Sequence, residues 1–187
     1  MKLTTTMLAA LDAQDVFDIV AWELLRQNSR ATAIDRVKCM YRAPDGKRCA
    51  IGWLIPDDVY SKALEFFGVR DIAQRLIEGE HARFARFLYL HMSLLRALQD
   101  MHDANLPAEW PVMLRAIAQR HSLNANAVTH CERTYGFASA TQPEPKRHVA
   151  PAYLLDMKVL IEQVKTVNLG VDHGREEREQ AREVCSA

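Results

Sequence analysis

Residues 39–60, CMYRAPDGKRCAIGWLIPDDVY, are the one stretch of this chain that does not read as helix. Val37, Cys39 and Tyr41 fall on one face of an extended segment, because side chains alternate there. Pro44-Asp45-Gly46 supplies a turn, with proline setting φ and glycine accepting a positive one. A second apolar run, Cys49 to Ile55, returns along the first, so the pattern predicts a β-hairpin over 37–55. A register centred on Pro44-Asp45 sets Cys39 opposite Cys49. Gly52 predicts a bulge or a close backbone approach, and Pro56 ends the strand. Asp57 or Asp58 is placed to cap a short helix through Tyr60, Leu64 and Phe66. A lone hairpin is marginal, so this one must lie on helices.

Outward from the hairpin, apolar residues recur at helical spacing. Asp12–Gln27 reads as an amphipathic helix with Asp12 as N-cap and Asn28-Ser29 as its end. A polar connector over 29–36 leads to the hairpin. Beyond it, Asp71–Gly79 is helical, and Glu80–Ala104 reads as one long central helix, apolar on almost every face from Phe84 to Leu98. Leu106-Pro107 breaks that helix, Ala108–His121 forms another, and Asn126–Tyr135 a short last one. The expected fold class is mainly α, a helical bundle with one small β-hairpin packed on it. The domain plan is a core over 1–137, a linker over 138–151 marked by Pro143, Pro145, Lys146 and Arg147, and a helical C-terminal extension over 152–187.

Composition narrows the role. The chain has 187 residues, enough for one core, and Lys+Arg and Asp+Glu both number 24. A protein that binds nucleic acid mainly through phosphate charge carries a basic excess, so the balance speaks against that class. No run nears the ~20 apolar residues of a membrane span. Four scattered cysteines suggest reduced thiols and a cytoplasmic protein.

The motif around the hairpin resembles a family of small phage- and prophage-encoded proteins. The residues that carry the likeness are Cys39, Tyr41-Arg42, Gly46, Arg48-Cys49-Ala50, Gly52, Leu54-Ile55-Pro56-Asp57 and Tyr60. Val16-Phe17-Asp18 extends it upstream; Leu98-Gln99, His102-Asp103 and Trp110 extend it downstream, to cover residues 12 to 123. Trp53 departs from the pattern, where a small residue or a cysteine is expected. The resemblance implies an origin in the cytoplasm of a bacterial host. It brings no activity with it.

Three roles are open. The first, which the resemblance and the lack of a catalytic constellation imply, is an accessory protein that binds a host protein, in the manner of an anti-CRISPR inhibitor of host defence, through the hairpin tip at Arg42, Asp45, Lys47 and Arg48 or through exposed arginines of the long helix. The second is a helix-turn-helix regulator over 114–133. Ala118, Leu123 and Val128 lock its angle, and Asn124, Asn126, Thr129, His130 and Arg133 face a groove. That reading expects a homodimer, with Ala152–Val167 as the pairing helix. The third is an enzyme using Cys49 as nucleophile and His102 as base, with Asp103 adjacent. On a helix, neighbouring side chains point about 100° apart, so Asp103 is not expected to orient His102. No histidine spacing suits a metal, and no cofactor is expected.

Overall fold

The computed structural model describes residues 3–34 and 38–136, all within one unit, Met1–Glu144. The predicted linker and C-terminal extension lie outside the described residues. The chain enters through a single helical turn, α1 (Thr5–Leu8), capped by the Thr4 hydroxyl. In α2 (Ala13–Gln27), Asp12 accepts from the Asp15 amide at 2.9 Å while Asp15 accepts from the Asp12 amide at 3.1 Å. This reciprocal cap satisfies two amides that helix geometry leaves unpaired. Asn28, at φ 45, ends the helix in the left-handed region, where asparagine is tolerated better than most residues.

Five further helices follow: α3 (Val69–Leu76), α4 (Ala82–Leu90), α5 (Met92–Ala104), α6 (Trp110–Arg120) and α7 (Asn126–Tyr135). Two 3₁₀ turns, Lys62–Leu64 and Pro107–Glu109, punctuate them. α2 lies against α7, α6 and α5; α3 packs on α4 and α5; α1 closes on α4. Phe17, Leu24, Leu25, Phe84, Leu88, Leu95 and Trp110 are wholly buried among these helices. The most enclosed element is α2, which buries Val16, Phe17 and every residue from Ile19 to Leu25.

Three expectations need correcting. Glu80–Ala104 is two helices, because the backbone leaves helical space at His91 (φ −104, ψ 13). No proline or glycine marks the break; the buried His91 ring sits 4.9 Å from Phe87 and reaches the Leu11 backbone. After Pro56 there are turns and a 3₁₀ segment in place of a capped α-helix. The hairpin, finally, is present only as one antiparallel bridge, Arg42 with Arg48, and there is no sheet among the described residues.

The reason for the missing ladder is visible in burial and hydrogen bonding. Cys49, Ala50, Ile51, Leu54 and Ile55 are all buried, which a strand with one face outward does not allow. The run coils instead: the Trp53 amide donates to the Cys49 carbonyl and the Ile55 amide to Ile51. A Cβ at Gly52 would overlap the Tyr41 carbonyl, so glycine there permits the coil to press on the first segment. The amides of the would-be strands turn to side chains. Tyr41 and Arg42 donate to the Glu65 carboxylate (2.8 and 3.1 Å), Arg48 to Gln27 Oε1 (2.9 Å) and Ile51 to Gln99 Oε1 (3.3 Å).

One group on α2 works against the fold at neutral pH. Burial pushes the Asp18 carboxyl up to about 6; the Asp15 and Asp12 charges add to this and a hydrogen bond from Gln14 opposes it. A folded pKa above the unfolded one means stability is fullest below about 4 and falls as pH rises toward 6. Asp18→Asn is expected to raise stability by about 1–2 kcal/mol at pH 8 and by much less at pH 4, read by urea denaturation at both pH values.

Candidate functional site

An open cleft of about 760 Å³ lies between the first segment of the 39–60 stretch, the start of α3 and the outer side of α5. Its wall includes Lys38, Cys39, Phe66, Arg96, Asp100 and Asp103. Cys39 is held there by an antiparallel bridge to Thr32. α5 brings up His102 and Asp103 from behind, and the ligand-type atoms of Cys39, His102 and Asp103 lie within 4.8 Å of one another.

The chemistry of this cluster follows from where its protons sit. The His102 ring is fully buried and stacked on Trp110 at 5.4 Å. Its Nε2 accepts from the Ala31 amide (3.3 Å), which leaves the proton on Nδ1, 2.8 Å from Asp103 Oδ1. Asp103 therefore does orient its neighbour, against the expectation from helix geometry. It also accepts from Gln99 Nε2 (2.8 Å) and from the Cys39 thiol. Burial works to raise the Asp103 pKa, but the hydrogen bonds from His102, Gln99 and Cys39 hold it below the ordinary value. Burial pushes the Cys39 thiol up to about 12, and its bond to the negative Asp103 adds to that.

Two chemistries are thereby disfavoured. A nucleophile must be a thiolate, and Cys39 stays protonated at neutral pH. A metal ion on His102 Nδ1 would move the ring proton to Nε2, directly against the Ala31 N–H. A ligating histidine needs an acceptor at its second nitrogen, and here it meets a donor. The cluster is a hydrogen-bonded clamp tying residue 31, residue 39 and α5 together.

The other predicted site residues are distributed as follows. Cys49 is wholly buried with its Sγ accepting from the Gly52 amide (3.4 Å), and burial pushes its thiol up. The Arg42–Arg48 bridge sets Cys49 opposite Tyr41, so it does not face Cys39. Arg42 turns inward: it pairs with Asp57 (2.8 Å), donates to the Ile55 carbonyl (2.6 Å) and lies 4.3 Å over the Tyr60 ring. Arg48 and Arg26 lie 5.3 and 5.7 Å from the centre of the Trp53 ring, which gives the unexpected tryptophan two cationic neighbours. At the tip Asp45 is exposed and Lys47 half-buried, and they pair with each other at 2.8 Å. In α7, Asn126, Thr129 and Arg133 are exposed. Asn124 is pinned to Gln14 of α2 through both of its backbone polar groups, and His130 packs on Trp22 at 5.6 Å. The turn before α7 puts Ser122 at φ 57 where glycine sits without strain.

Sequence reasoning missed Phe66. Its φ is 70, a conformation unfavourable for a bulky residue, and its side chain is 66% exposed beside the cleft. Phe66-Phe67-Gly68 carries no marker for such a turn. Comparison with family models, curated proteins and solved structures finds no match.

Removing the Asp103 charge should make Cys39 more acidic. Asp103→Asn is expected to speed its alkylation by iodoacetamide at pH 8 by about tenfold, one unit of thiol pKa, while Cys49 stays unlabelled because it is wholly buried. Peptide mapping by mass spectrometry reads each cysteine separately.

Proposed function

We propose that this protein acts by binding a host protein, and that its contact face is the cleft rim around Phe66. One observation carries the reading: an aromatic ring held two-thirds exposed on a backbone that disfavours it. Strain of this kind costs on the order of 1–3 kcal/mol and persists where the surroundings enforce it, often at sites that engage a ligand. A large ring that is exposed when free and fills a pocket on binding is the usual form of an interface anchor. Lys38, 5.4 Å over the ring, and the open cleft beside it add charge and shape.

The reading moves the surface away from the hairpin tip, where Arg42 is committed to the fold and Asp45 and Lys47 satisfy each other. It keeps the host-protein partner. The resemblance to phage and prophage proteins supports action in the bacterial cytoplasm and favours inhibition of a host defence system, as anti-CRISPR proteins do, as its form. The enzyme reading has no support from a sealed Cys49 and a protonated Cys39. The DNA-binding reading keeps one specific observation, the outward stripe of Asn126, Thr129 and Arg133 on α7.

The test is capture of partners from host lysate on the tagged full chain, with and without nuclease. A stoichiometric protein that survives nuclease and is lost by at least about tenfold with Phe66→Ser, about 1.4 kcal/mol, is the expected result. Recovery of DNA alone, lost with Asn126→Ala and Arg133→Ala, would overturn it in favour of the regulator.

A further inference from the structure

We infer that the Phe66 face also pairs with the same face of a second copy, giving a two-fold symmetric dimer. An isologous contact needs a surface complementary to itself, in which residue i meets j and j meets i. This face meets that condition in charge: Lys38, Arg70 and Arg96 are matched by Asp71, Asp100 and Asp103 along one cleft. A face built for a strongly acidic or basic partner carries one sign, and this one does not. The whole chain is likewise balanced, 24 cations against 24 anions, so two copies meet without long-range repulsion.

The geometry of α5 makes the pairing specific. Ser93, Arg96, Asp100 and Asp103 form its exposed stripe, at the three- and four-residue spacing of one helix face. Arg96 and Asp100 are one turn apart, yet they form no ion pair among the described residues. Two antiparallel copies of α5, crossing near the small Ala97, set Arg96 of each copy against Asp100 of the other. Phe66 of each copy then lies over the cleft of its mate, which removes both rings from water. The inference shares with the proposed function only the reading of Phe66 as a contact residue. Its consequence is regulatory: the free protein covers its own anchor, and a partner must compete with a second copy for the face.

Sedimentation velocity of the full chain from about 1 to 100 μM, the range in which modest protein contacts associate, tests the dimer. The wild type is expected to dimerise, and Phe66→Ser to be monomeric with an unchanged circular dichroism spectrum. Arg96→Asp and Asp100→Arg should each weaken the dimer at least about tenfold, because like charges then face across the axis. An equimolar mixture of those two variants should dimerise again, since one pair is then the native Arg96 with Asp100 and the other is restored with its signs exchanged. A wild type monomeric throughout, a dimer indifferent to Phe66→Ser, or a mixture that stays monomeric would overturn the inference. If the wild type is monomeric but Phe66→Ser still abolishes partner capture, the dimer alone fails. If Phe66→Ser abolishes the dimer while capture is undiminished, the proposed function alone fails.

Discussion

The fold depends on how the backbone of residues 39–60 finds its hydrogen bonds. This stretch lies against the helices with most of its apolar side chains buried, so its amides have little water to turn to. A β-ladder would have satisfied them, but only isolated bridges form, Cys39 with Thr32 and Arg42 with Arg48. Three side chains from outside the stretch replace the ladder. Glu65 takes the amides of Tyr41 and Arg42 together with the Tyr60 hydroxyl at 2.8 Å. Gln27 of α2 both accepts from and donates to the Arg48 backbone. Gln99 of α5 accepts from Ile51 while its amide nitrogen steadies Asp103. An unpaired buried amide costs about 1–3 kcal/mol, so these few side chains decide whether the stretch is ordered.

That arrangement changes what the sequence motif means. Tyr41, Arg42, Cys49, Gly52, Asp57 and Tyr60 are among the residues of the motif around the expected hairpin, and each is occupied in holding the loop or accommodating it. Gln99, His102, Asp103 and Trp110 continue the same network into α5 and α6. The motif describes a scaffold, and its thiols are kept protonated by burial and by a neighbouring carboxylate. Among the residues the scaffold leaves exposed is Phe66 on the cleft rim. The proposed contact surface uses this rim, where shape and charge can recognise another molecule.

The helices that the sequence announced have local causes. Asp12 and Asp15 cap α2, Pro107 separates α5 from α6, and α7 begins and ends where apolar spacing placed it. The features it hid have distant ones. Glu65, Gln27 and Gln99 lie 24, 21 and 48 residues from the amides they accept, and no local pattern joins them. The run 49–55 was apolar without alternation, which periodicity alone does not assign to strand or coil. The break at His91 and the positive φ of Phe66 occur at residues with no breaker character. Of the candidate site, His102 and Asp103 were legible as an adjacent pair; the thiol beside them proved to be Cys39, because the observed bridge sets Cys49 opposite Tyr41.

Amide hydrogen exchange, residue by residue on the full chain with Glu65→Gln beside the wild type, asks most directly whether side chains stand in for the ladder. Glutamine keeps the size of the side chain and loses its charge and one acceptor. The account predicts that protection of the Tyr41 and Arg42 amides falls about 10–100-fold relative to the Leu24 and Leu95 amides of α2 and α5, as expected for losing charged hydrogen bonds of about 1.5–3 kcal/mol. Equal protection of Tyr41 and Arg42 in the two proteins would contradict it, since those amides would then have another acceptor.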